Sequence, residues 1–173
     1  MRVRFNVNDL EARNEFLATT LVEALATLPS DRKPTWGGLS AAQMVEHLLS
    51  VFELSTGKAT SESSLPEEFQ IKARAFLQDN RPMPRGFESP LHKNGLPPLR
   101  YEAIPDAIEA LRLESRAFLD LCASEPDSVL VHPAFGPCTR DQWSRVHFKH
   151  CVHHLLQFGL IEVESVEVSG SRS

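Results

Sequence analysis

Two stretches of the chain open on the same helix-start signal, and each carries histidine well inside. Ser40 and Gln43 form an S-x-x-Q capping box, and Thr139 and Gln142 form T-x-x-Q directly after the turn-forming run from His132 to Pro137. In such a box the hydroxyl accepts a backbone N–H of the first turn while the glutamine reaches back to the cap, so the helix start is specified locally. The first of these helices is expected from about Ser40 to Ser55 and the second through the stretch Trp143 to Phe158. Both are amphipathic, and each must find a partner for its apolar stripe.

The other segments supply partners. Asn8 with Glu11 is another capping-box match, and Leu10, Leu17, Leu21, Leu25 and Leu28 recur at helical spacing until Pro29. Pro66 stands at the first turn of a shorter helix through Leu77. Pro105 begins a helix whose buried stripe is Ile108, Leu111, Ser115, Phe118, Leu119 and Cys122, ended by Glu125-Pro126-Asp127. Between them residues 79–100 are too rich in proline for regular structure and read as one long loop, of the kind that is either a surface connection or a functional cover. Val129 to Val131 reads as a linker. Met1 to Val7 and Ile161 to Val168 alternate only partly and suggest short strands or extended arms, with 166–173 a disordered tail. Four long amphipathic helices with a proline-rich crossover and a short extra helix predict an all-α four-helix bundle, one domain over residues 1–173.

With 42% apolar residues the 173-residue chain can bury a core of its own. A formal net charge of -5 without a Lys/Arg stripe argues against nucleic acid, whose phosphates demand cations. Cys122, Cys138 and Cys151 form no C-x-x-C, which fits a reducing cytoplasm. Neither a signal-peptide core nor a membrane-spanning apolar run is present, so a soluble cytoplasmic protein is expected.

Four of the seven histidines lie in the late helix. At about 100° per residue His150 and His154 share a face, with His147 on the same wedge one turn earlier and His153 pointing elsewhere. Two imidazoles at i and i+4 can chelate a metal, but a tight site needs a third ligand from another element. His47 is the candidate, and a site using His147 with His150 stays open. Three neutral imidazoles leave a coordination position vacant, the catalytic pattern. An open Zn, Ni or Fe centre can lower the pKa of bound water or hold a thiol as thiolate.

Around the trio, Gln43 and Gln157 are candidates to hold the second N–H of a ligand histidine. Glu46 points about 100° away from His47 and reads as surface. Arg81 and Arg85, if the loop folds over the helices, could hold a substrate carboxylate or phosphate. His92, His132 and His153 read as packed or hydrogen-bonded, His132 as a brace for its turn. Cys151, Trp36 and Trp143 read as packing residues.

The motifs Trp36-Gly37-x-x-Ser40-x-x-Gln43-Met44-x-x-His47, His132-Pro133-x-Phe135-Gly136 and Lys149-His150-x-x-His153-His154-Leu155-x-Gln157-Phe158-Gly159 together resemble the DinB/YfiT-like superfamily, and within it a bacterial branch that Arg81-Pro82-x-Pro84-Arg85 also resembles. The resemblance implies a four-helix bundle, often a homodimer, with a divalent metal on His47, His150 and His154. Relatives of this kind include thiol-dependent S-transferases, a mycothiol-dependent isomerase and metal-dependent hydrolases. The expected function is therefore a metal-dependent transferase or hydrolase acting on a small-molecule substrate, with metal-bound water or a low-molecular-weight thiol as nucleophile. The alternative is a non-catalytic metal- or ligand-binding bundle with a stress or sensing role. Neither reading calls for nucleic acid or membrane.

Overall fold

A computed structural model describes residues 1–63, 65–86 and 95–164. Its helices begin where side chains satisfy the otherwise orphaned first-turn N–H groups. Helix α1 (Leu10–Glu15) is capped by Asp9, whose carboxylate accepts the Ala12 N–H at 3.0 Å, one residue later than the Asn8 expected from sequence. It runs through a π-helical turn (Phe16–Thr20) into α2 (Leu21–Leu25) without leaving helical backbone angles. The hydroxyl of Ser115 donates to the Leu17 carbonyl at 2.8 Å, tying that turn to a later helix.

Helix α3 (Ala41–Thr56) carries the complete Ser40–Gln43 capping box and ends on Gly57 in the left-handed region. Helix α4 (Glu67–Phe76) follows Pro66, whose ring can precede a helix because the missing N–H would have had no partner there. Helix α5 (Ile104–Ser124) has Pro105 in its first turn, and α6 (Arg140–Gln157) starts on the complete Thr139–Gln142 box. α3 packs on both α5 and α6, and the π turn lies against α5. Phe52 of α3, Phe118 of α5 and Trp143 of α6 are almost wholly buried, as is Phe148 of α6, whose ring packs on Phe5 and Phe16. Glu114, buried on α5, accepts hydrogen bonds from Thr56 and Lys58 and so closes the far end of α3 onto α5.

The chain is mostly helical, but the all-α expectation needs correcting, because two small two-stranded sheets accompany the helices. β1 (Arg2–Arg4) pairs in parallel with β4 (Glu162–Glu164), Val3 opposite Val163. The two terminal segments read as possible strands are thus each other's partner. β2 (Val129–His132) pairs antiparallel with β3 (Gly136–Thr139), where a linker was expected. The hairpin escapes sequence reading because Gly-Pro-Cys-Thr has no strand signal of its own. Its turn ends on Gly136 at φ 69°, where a Cβ would lie 1.8 Å from the Gln70 side chain of α4. A side chain there would have to adopt a left-handed backbone that only glycine takes readily, and Gln70 would have to move aside.

Within residues 79–100 the described parts form neither helix nor strand, as expected. They are pinned from below by Lys149 of α6, whose buried ammonium donates to the carbonyls of Asp79 and Arg81 and sits 3.7 Å from the Phe76 ring centre. Burial pulls its pKa down to about 8. The expected tail at 166–173 lies outside the described residues. Among those described, no helix is long and apolar enough to cross a membrane.

Candidate metal centre

The two capping boxes set the starting points from which the histidines are counted. His47 comes from the second turn of α3, and His150 and His154 from one face of α6. The packing of α3 on α6 brings the three rings together, with His150 Nε2 2.9 Å from His47 Nε2 and 3.0 Å from His154 Nε2. One ligand nitrogen from each lies within 4.8 Å of the others, so the three could hold a metal ion. His47 and His154 are buried, and His150 keeps partial solvent contact.

The donor set suits a divalent cation. Two nitrogens bound to one ion at about 2.0–2.1 Å lie roughly 3 Å apart at right angles and about 3.4 Å apart in a tetrahedron, so the spacings of His150 to His47 and to His154 fall in the range that two ligands of one ion adopt. Burial, and then the neighbouring imidazoles of His154 and His47, push the His150 pKa well below its ordinary value. That keeps one ring-nitrogen lone pair available at neutral pH.

Gln157 orients one ligand. Its Nε2 donates to the Trp36 carbonyl at 2.7 Å, so its Oε1 faces His154 and accepts from Nδ1 at 2.8 Å. A proton on Nδ1 leaves Nε2 of His154 with its lone pair aimed at the cluster. The loop that supplies the Trp36 carbonyl is bolted to the end of α6, since the Thr35 N–H and hydroxyl both bond the Gln157 carbonyl, at 2.8 and 3.0 Å. Gly37 adopts φ 79°, and a Cβ there would stand 2.6 Å from the Gln157 amide nitrogen. The Trp-Gly pair of the sequence is thus shaped by the histidine's outer partner.

His147, open as an alternative ligand, is turned elsewhere. One turn back along α6 it faces Ser55 rather than His47, fully buried and stacked on Phe52 with ring centres 3.7 Å apart. Ser55 Oγ donates to the Phe52 carbonyl, so His147 Nε2 donates to Ser55 Oγ at 2.7 Å. His132 braces its turn as expected, its Nδ1 accepting the N–H groups of Ala134 and Phe135 at 3.0 and 3.2 Å. His153 packs edge-on against Trp36. His92 lies outside the described residues. Burial raises the Cys151 thiol pKa far above the thiolate range, consistent with packing.

The remaining candidates separate. Gln43 closes the capping box through its Oε1, which accepts the Ser40 N–H at 2.9 Å, and no bond to a histidine is seen for it among the described residues. Glu46, read as surface, is buried. Its two oxygens accept the Arg100 N–H at 2.9 Å each, and Oε1 also takes the Tyr101 N–H at 3.0 Å. The reason is tertiary, because the end of the long loop returns across α3 and covers that face. Arg81 pairs with Asp79 at 2.6 Å and Arg85 lies 4.0 Å over the Trp36 ring. Neither lines the pocket of about 390 Å³ bordered by Gln43, Glu46, His47 and Ser50 of α3 and by residues 96–100. Glu46 and this pocket wall carried no sequence signal beyond a lone acid beside a histidine.

A family model described as "Protein of unknown function (DUF1569)" matches residues 7–159, which include all three clustered histidines. No curated protein and no solved structure matches the chain.

Proposed function

The chain belongs to the DUF1569 family, and from the geometry of its histidines we propose a metal-dependent transferase or hydrolase acting on a small molecule. The observation that carries this reading is the convergence of three Nε2 atoms. His150 Nε2 faces two other ring nitrogens at 2.9 and 3.0 Å, and one N–H can point straight at only one of them. A shared cation satisfies all three at once. His47, His150 and His154 would hold it, Gln157 keeping His154 in the binding tautomer. A divalent ion such as Zn, Ni or Fe supplies Lewis acidity that lowers the pKa of a water or a low-molecular-weight thiol. On this reading the packing of α3 with α5, α6 and the first helical run is a four-helix bundle of DinB/YfiT-like type, acting in the cytoplasm and able to pair as a homodimer.

A second reading, a non-catalytic metal-binding bundle with a sensing or stress role, is favoured by one observation. Glu46, the carboxylate adjacent to a ligand, is held by the backbone N–H groups of Arg100 and Tyr101 and is poorly placed to move a proton. Elemental analysis of protein purified without chelator tests the metal common to both readings, beside His47→Ala and His150→Ala variants. Near one divalent ion per chain, lost in both variants, is the expected result. No ion even after reconstitution overturns it. Turnover of thioester, thiol or amide substrates by the loaded protein, abolished in the same variants, separates enzyme from sensor.

A further inference from the structure

Gln43 belongs both to the capping box of α3 and to the wall of the pocket beside His47. The box decides which end of its amide meets the cap. The Ser40 N–H is a donor, so the atom it meets at 2.9 Å is Oε1, and the Gln43 N–H bonds the Ser40 hydroxyl at 3.2 Å in return. The amide cannot flip without giving up the cap, so its two N–H donors face away from the Ser40 N–H. His47 follows four residues later on the same face of α3, and helical side chains lean toward the helix start, so its ring is carried toward the turn that holds Gln43. The α6 box makes the same bond through Gln142, whose Oε1 accepts the Thr139 N–H at 2.9 Å, but about two turns ahead of His150. One box stands beside a ligand histidine and the other does not.

We propose that Gln43 is a ligand-binding residue of the metal centre, its amide N–H₂ donating to a carbonyl oxygen of a molecule bound at His47, His150 and His154. The site then selects carbonyl compounds such as esters, thioesters and amides. A carbonyl oxygen has lone pairs and no hydrogen, so it meets a donor that the cap has already oriented, and little side-chain freedom is lost on binding. A few fixed polar groups of this kind set the orientation of a small ligand in a pocket. The proposal rests on the metal reading and adds the class of substrate to it.

The test separates the donor from the cap. Gln43→Glu keeps the box, since glutamate serves at that position as glutamine does, but replaces the N–H₂ with an oxygen that cannot donate. Cobalt(II)-substituted protein is titrated with methyl 3-mercaptopropionate, which carries a carbonyl, and with 1-butanethiol, which carries none, and the visible spectrum is followed. Gln43→Glu is expected to unfold at the wild-type urea midpoint and to keep its cobalt. It is expected to weaken the ester relative to butanethiol by about threefold to tenfold, the worth of one hydrogen bond. Repulsion of a thiolate by the new carboxylate falls on both thiols and cancels in that ratio. Gln43→Ala is expected to change the ratio equally, and Gln142→Glu to leave it alone. A ratio unchanged in Gln43→Ala, or changed as much in Gln142→Glu, overturns the role of Gln43 and leaves the metal reading intact. Wild-type protein that takes up no cobalt overturns both, and the elemental analysis reads that outcome separately.

Discussion

At the residue scale, Gln157 joins the metal candidate to the rest of the fold. It accepts from His154 and donates to Trp36, so Gln157→Ala removes the group that fixes the tautomer and frees the Trp36 loop. Outer partners of this kind are worth about 10–100-fold in metal affinity. A chelator competition is expected to show a loss of that size with metal stoichiometry kept at saturation, and unchanged affinity would remove Gln157 from the site. His132 gives a pH prediction independent of the metal. Burial lowers its pKa to about 3, against roughly 6.5 in an unfolded chain. The folded state therefore holds it neutral while the unfolded state takes up a proton below about 6.5. Its stability contribution is present above that pH and is lost as pH falls toward 3. Between pH 7 and pH 5 the loss is about 2 kcal/mol. In His132→Asn, whose amide oxygen can accept the same turn N–H groups, urea unfolding is expected to show a pH dependence smaller by about that amount.

At the element scale, α3 and α6 owe their starts to side chains that touch nothing distant. Ser40→Ala and Thr139→Ala each remove the hydroxyl acceptor of a capping box and are expected to cost about 1 kcal/mol in denaturant unfolding. The two caps lie on different helices and bond different glutamines, Gln43 and Gln142, so the double variant is expected to lose about the sum. A shortfall in the double variant would mean that the two helix starts are coupled. The π turn in the first helical run has no comparable local signature. Nothing in Phe16 to Thr20 announces a wider turn, and the Ser115 hydroxyl on the Leu17 carbonyl ties it to α5, far off in sequence.

At the scale of the whole molecule, a cation held between α3 and α6 binds only when both helices are packed. By mass action it stabilises the fold by about 2.7 kcal/mol at a hundredfold excess over its dissociation constant. Loaded protein is expected to unfold at a higher temperature than chelator-treated protein, with His47→Ala insensitive to both treatments. A midpoint unmoved by loading would argue that the imidazoles are a hydrogen-bonded brace.

Capped helix starts, the shared face of His150 and His154, and the irregular proline-rich stretch were legible in the sequence, because each depends on residues within a turn or two of one another. His47 was identified as the third member from its place inside a capped helix, and from family resemblance. What only the tertiary structure decided are pairings between distant segments. His147 shares a wedge with His150 yet bonds Ser55, because which partner helix lies opposite is set by packing and not by spacing. Glu46 is buried because the loop end at Arg100 returns over it, and β1 finds β4 across nearly the whole chain. Helix propensity and capping are local free energies, read from neighbours in sequence, whereas burial and cross-chain hydrogen bonds exist only after folding has brought remote residues together.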